Sequence, residues 1–158
     1  MDPISSSGST PSLDIASTGV ILVDHGSRRA ASNAQLVETA ELYRSLSQWE
    51  IVEPAHMELA EPSIQTAVDR CVERGARHIV VFPYLLAPGR HWDRDIPRLA
   101  AEAVRRHEGV THVVTAPLGV HEFLMRVVDA RINHCLQHVA GEAPACDLCQ
   151  DGGGCREK

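Results

Sequence analysis

Between residues 19 and 139 short β-branched apolar runs alternate four times with longer stretches whose apolar residues recur at helical spacing. A short run of this kind is a buried strand, and its regular alternation with amphipathic helices builds βα units around a parallel sheet. The pattern therefore predicts an α/β fold, a three-layer sandwich with a four-stranded parallel sheet. GVILVDH (19–25) is the first strand, followed by a helix capped by Ser32 with Leu36, Val37, Ala40, Tyr43 and Leu46 on one face. A second strand, about 51–59, leads to Pro62 in a first helical turn, and Ile64, Ala67, Val68, Cys71 and Val72 line a helix that Gly75 ends. HIVVFPYLL (78–86) is the third strand, separated by the loop APGRHWDRD from a helix carrying Ile96, Leu99, Ala100, Ala103 and Val104. HVVTAPL (112–118) is the fourth, and a helix over about 120–138 aligns Leu124, Val127, Val128, Ile132 and Cys135.

A chain of 158 residues has the size of one domain and can bury a core without disulfides. No apolar run approaches the ~20 residues of a membrane helix, and a net charge of −6 does not suit a phosphate-tracking surface. Neither a membrane nor a nucleic-acid partner is expected. The first seventeen residues, rich in Ser, Pro and Gly, read as a disordered leader without the apolar stretch of a secretory signal. Domain organisation then divides into a leader (1–17), a sheet domain (18–139) and a C-terminal tail (140–158).

In parallel sheets ligands bind beyond the C-terminal ends of the strands. Three residues fall there: His25 after the first strand, Glu58 near the end of the second and His91 in the loop after the third. Two imidazoles and a carboxylate suit a divalent first-row ion such as Fe²⁺ or Co²⁺ and leave positions open for a substrate. Any one of them alone reads as a solvated loop residue; their convergence on one rim carries the argument. In DHGSRR (24–29), Gly26 and Ser27 offer backbone N–H groups to an anion at a strand-to-helix turn. The order H-G-S is not that of a serine hydrolase, and no phosphate-binding or dinucleotide fingerprint is present. Arg28, Arg29 and Arg90 flank the two histidines and have the fork geometry for carboxylates, although solvated surface charge explains them equally well.

His56 shares a strand face with Glu58 and reads as a hydrogen-bonded structural residue or a support for the rim. Trp92 reads as packing its loop, with cover for a flat ligand as the alternative, and Cys71 reads as core. The remaining histidines, His78, His107, His112, His121, His134 and His138, have no spacing relation to the rim. Cys135, Cys146, Cys149 and Cys155 supply four thiolates in the spacing C-x₁₀-C-x₂-C-x₅-C. That set can hold a [2Fe–2S] cluster or a structural zinc, with disulfides as the plain alternative.

VDHGSRR, VEPAHMELAEPSI, VVFPYLLAPGRHWDRDIP and TAPLG follow one another between residues 19 and 138. In that order they resemble the short class II chelatases, which include sirohydrochlorin ferrochelatases and cobaltochelatases. The tail spacing is similar to that of plant and algal ferrochelatases, whose extension is associated with a [2Fe–2S] cluster. The resemblance implies a half-lobe that works as a homodimer, sirohydrochlorin and Fe²⁺ as substrates, and siroheme as product. It places His25, Glu58 and His91 in metal-binding and catalytic positions and implies the chloroplast, with a cytoplasmic location as the alternative. Ser27, Arg28, Arg29 and Arg90 are the expected substrate-binding residues. A cobaltochelatase on the same fold and a non-catalytic metal or tetrapyrrole carrier are the rival readings.

Overall fold

The computed structural model describes residues 13–149, so most of the leader and Cys155 lie outside the described residues. The chain forms two compact units, one ending at Gly119 and one beginning at Val120.

The first unit carries all four strands: β1 (Thr18–Asp24), β2 (Ile51–His56), β3 (His78–Pro83) and β4 (Thr111–Val114). They pair in parallel in the order β2-β1-β3-β4. Between them run α1 (Ala30–Leu46), α2 (Ile64–Glu73) and α3 (Ile96–Val104). β1 is the central strand, and its run Val20–Val23 is buried throughout. Ile21 and Val23 pack with Val68, Cys71, Ile96 and Ala100 of α2 and α3 on one face, whereas Val20 and Leu22 meet Leu36 and Ala40 of α1 on the other. These are the three layers that the alternating pattern predicts. Burial pushes the Cys71 thiol up to about 12, which makes it an inert core residue.

Several local expectations are corrected. Ser32 does not cap α1, because the helix starts two residues earlier, at Ala30. The turn before it is pinned instead by Asn33, whose Oδ1 accepts from Ser27 N–H (2.9 Å) and whose amide donates to the Ser27 carbonyl (2.7 Å). Ser63, not Pro62, starts α2, accepting from Thr66 N–H at 3.2 Å. β2 stops at His56 and β3 at Pro83, short of the predicted ends, because the chain turns there into the loops of the rim. Part of the loop after β3 is itself helical: His91–Asp95 form a π-helical turn that runs directly into α3.

On the α1 side the helix packs over β2 and β1 and leaves the adjoining sheet surface open. An apolar cavity of about 360 Å³ remains there, with Leu22, Tyr43, Trp49, Val80 and Phe82 among its walls.

The second unit is α4 (Glu122–Val139) with the chain that returns along it. Its predicted apolar face is not buried: Val127, Val128 and Ile132 are each about half exposed. The described part of the returning segment is tied to the helix by polar side chains. Arg131 forks onto the Asp147 carboxylate (2.6 and 3.3 Å), His134 contacts the Pro144 carbonyl (3.1 Å) and His138 that of Ala143 (3.0 Å). The Arg131 hydrogen bond holds the Asp147 carboxyl below the usual carboxylate range. His134 and His138, which the sequence offered no reason to single out, thus hold the tail.

Candidate functional site

Strand order fixes where a site can form. From β1 the chain moves to one side to make β2 and to the other side to make β3, so the order reverses between β1 and β3. Loops leaving those two strands diverge to opposite faces and open a crevice at the sheet's C-terminal edge. His25 follows β1, and His91 lies in the connection after β3. Their rings meet edge to face with centroids 5.0 Å apart.

Glu58 reaches the same place from the loop after β2, with Oε1 2.9 Å from His25 Nε2. Two donors each about 2.1 Å from one ion and at right angles stand about 3 Å apart. The His25–Glu58 gap is therefore that of two neighbouring ligand positions. The other ring nitrogen of His25 faces the Gly26 carbonyl at 3.2 Å. A metal ion needs the Nε2 lone pair, so it must replace the contact with Glu58 and release any proton held between them. Among the described residues no three His, Cys, Asp or Glu side chains are grouped so as to hold a metal ion as they stand. The rim is a close pair with a third donor beside it, open towards solvent.

The loops after β1 and β2 are laced together. Met57 N–H donates to the Asp24 carbonyl (2.9 Å) and Glu58 N–H to the His25 carbonyl (3.2 Å). Gly26 has φ +86°, and a Cβ there would sit 1.9 Å from the Glu58 carbonyl oxygen, so only glycine fits the crossing. Just after Glu58, Leu59 takes the left-handed conformation (φ +68°), a strained choice for leucine. Beneath the lacing, buried His56 donates from Nδ1 to Asp24 Oδ1 (2.6 Å), and the same oxygen accepts from Gly26 N–H (2.9 Å). His56 Nε2 is buried without a partner, which ordinarily costs about 1–3 kcal/mol.

His91 is oriented by its own turn: Nδ1–H donates to Asp95 Oδ2 at 3.0 Å, leaving Nε2 for the crevice. That bond holds the Asp95 carboxyl below the usual range, with Arg94 and Arg90 adding to the effect. Trp92 donates to the Thr115 carbonyl (2.8 Å), so it anchors the turn to the chain beyond β4. Beside the rim an open cavity of about 570 Å³ is lined by Glu58, Arg90, His91, Asp95 and Arg98, with Met57 and Leu99 as its apolar part. Asp95 and Arg98 were not legible as site residues, because nothing in the sequence announces a π-helical turn.

The anion cradle expected at Gly26 and Ser27 is not available. Gly26 N–H is taken by Asp24 and Ser27 N–H by Asn33, while the Ser27 hydroxyl accepts from Arg29 N–H at 3.1 Å. Arg28 and Arg29 are exposed at the start of α1. Of the expected substrate-binding arginines, Arg90 alone lines the cavity.

In the second unit the Cys146 and Cys149 sulfurs are 3.5 Å apart. The Cys146 thiol donates to the Cys149 sulfur at that distance. Cys135 shares a helical face with Arg131, His134 and His138, the residues that hold the returning chain.

An open parallel α/β sheet with two imidazoles and a carboxylate at its switch point is the architecture of a ligand-binding protein of the doubly wound class. More particularly, the chain belongs to the CbiX family, whose model matches residues 19–135. It is 50% identical over 138 residues to the chloroplastic sirohydrochlorin ferrochelatase of Arabidopsis thaliana, covering 87% of this chain and 61% of that protein. Over 89 residues it is 44% identical to the sirohydrochlorin cobaltochelatase of Methanocaldococcus jannaschii, covering 56% of this chain and 62% of the relative. The chain thus spans about three-fifths of the length of these relatives. SirB from Bacillus subtilis with Fe³⁺ superposes with a TM-score of 0.68 at 30% identity, over 72% of this chain and 45% of that one.

The crossing at Gly26 gives a direct test. Gly26→Ala forces the loops apart or strains the backbone, at a cost of about 1–3 kcal/mol, to be read from urea denaturation. The same substitution at Gly75, where φ is +100° but no atom lies within 4 Å, carries the backbone strain without the collision and costs less.

Proposed function

We propose that the chain is a sirohydrochlorin ferrochelatase, inserting Fe²⁺ into sirohydrochlorin to form siroheme in a plastid. The observation that carries the reading is the meeting of His25, Glu58 and His91 at the switch point, beside a cavity walled by Arg90 and Arg98. Similarity to a ferrochelatase named as chloroplastic supports the metal and the location.

Insertion exchanges one divalent ion for the two pyrrole N–H protons of the macrocycle, so the site must both hold the ion and take up protons. In this reading His25 and His91 hold Fe²⁺ through their Nε2 atoms. Glu58, whose direct contact with His25 the ion replaces, is the neighbouring ligand position, and once Fe²⁺ passes to the macrocycle its carboxylate is free to take up a pyrrole proton. Asp95 keeps the His91 lone pair directed into the crevice, and Arg90 receives a carboxylate arm of the substrate by fork geometry. Ligation and proton uptake use the same lone pairs, so at each histidine the ion and a proton compete. The match to a cobaltochelatase favours Co²⁺ as the alternative metal, and insertion under Fe²⁺/Co²⁺ competition decides between them.

A macrocycle with several carboxylate arms exceeds what one lobe encloses, and the open apolar sheet surface over Val80 and Phe82 is the kind that a second copy covers. We read the chain as a homodimer. We read Cys135, Cys146, Cys149 and Cys155 as holders of a [2Fe–2S] cluster; the 3.5 Å sulfur pair fits such a donor set, and Cys155 lies outside the described residues. When bound, such a cluster supplies one-electron storage.

His25→Ala and His91→Ala should each lower insertion by about 100-fold or more with the fold intact, and Glu58→Gln should lower kcat more than it raises KM. Steady-state kinetics on variants with native circular dichroism reads this; near wild-type turnover in either histidine variant defeats the assignment. Light scattering at micromolar concentration should give twice the chain mass, and a fully active monomer overturns the dimer. Removing residues 140–158 should abolish visible charge-transfer absorbance of anaerobically purified protein and spare most insertion activity. Intact protein carrying zinc without acid-labile sulfide would replace the cluster with a structural zinc.

A further inference from the structure

Among the described residues only two polar side chains are buried, Thr18 and His56. Thr18 is satisfied, since its hydroxyl donates to the Asp14 carbonyl at 2.8 Å. His56 is 1% exposed and is half satisfied, with Nδ1 bonded to Asp24 and Nε2 without a partner. An apolar side chain of similar volume would remove that unpartnered nitrogen from the core, so packing alone does not account for a histidine here.

What the histidine holds does account for it. Asp24 is the last residue of β1 and stands directly opposite His56 in the parallel register. Its Oδ1 accepts from both His56 Nδ1 and Gly26 N–H, so the carboxylate bridges the buried ring to the turn on which His25 sits. On the other strand, Met57 and Glu58 follow His56 immediately, and both donate their N–H groups across to the β1 loop. The two sides of the 2.9 Å His25–Glu58 contact are thus joined below by one side-chain hydrogen bond.

We propose that His56 is a positioning residue: from within the core it holds Asp24, and through Asp24 it sets the separation of His25 and Glu58 that a metal ion needs. The inference rests on the reading of that pair as metal-handling. Outer-shell partners of this kind ordinarily change metal affinity or activity by about 10–100-fold.

The test uses the full chain with His56→Phe, His56→Asn and His56→Gln. Phe keeps a flat ring, somewhat larger than imidazole, and loses the donor; Asn sets an amide nitrogen where Nδ1 was, and Gln sets one near Nε2 instead. Thermal melts, Co²⁺ titration without macrocycle, and insertion kinetics are measured on each. His56→Phe should keep the native circular dichroism, yet bind Co²⁺ about tenfold more weakly and lose about tenfold in kcat, with KM for sirohydrochlorin within about twofold. His56→Asn should recover most of both losses, whereas His56→Gln should resemble His56→Phe. Wild-type Co²⁺ affinity and kcat in His56→Phe overturn the proposal, as does an Asn variant no better than the Gln variant; that comparison decides alone if the Phe variant fails to fold. Wild-type protein that binds Co²⁺ but does not metallate sirohydrochlorin defeats the chelatase reading only, and the Co²⁺ measurements still judge His56. Co²⁺ binding that His25→Ala leaves unchanged overturns both.

Discussion

The parallel hydrogen bonding of β1 to β2 on one side and β3 on the other is the constraint on which everything else depends. It brings three strand ends to one edge, and its register sets Asp24 level with His56. Side chains alternate along a strand, so a slip of one residue in the β1–β2 pairing would exchange the residues that face α1 with those that face α2 and α3. It would also part Asp24 from His56. The packing that buries Ile21, Val23 and Ala55 is therefore the same packing that sets the geometry of the rim.

Departures from comfortable structure gather around that edge. A leucine in the left-handed region, a glycine crossing with no room for a methyl group and a buried nitrogen without a partner all lie within a few residues of His25 or Glu58. The rest of the first unit follows local rules, from the capping serine of α2 to the uninterrupted burial of Val20–Val23. Strain confined to one edge of an otherwise regular sheet marks where the fold gives up stability for a fixed arrangement of side chains.

Periodicity made the first unit legible. β-branched runs and helical stripes are signals of burial, and burial is what decides strands and helices in a three-layer sheet. That His25, Glu58 and His91 share one rim was legible because all three follow strand ends of one parallel sheet. The supporting residues were less so: Asp95 acts through a π-helical turn, and the Asp24–His56 bond spans two strands, so neither follows from local spacing. Gly26 and Ser27 suggested an anion cradle because the motif alone does not tell that Asp24 and Asn33 take their N–H groups. α4 has a helical stripe, but a stripe says only that a face is apolar and not that anything in the same chain covers it.

The π-helical turn at His91–Asp95 also bears on how such a site can vary. A π turn holds about one residue more than an α turn, and each residue of a helix advances its neighbours by about 100°. α3 is fixed in rotation by Ile96, Ala100 and Ala103 in the core, so the extra residue sets the helical phase at which His91 leaves it. Substitutions at Asp93 or Arg94 preserve that phase, whereas deleting either residue would swing the imidazole by roughly a quarter turn with the sheet undisturbed. At Asp93 and Arg94 the number of residues is under tighter constraint than their identity.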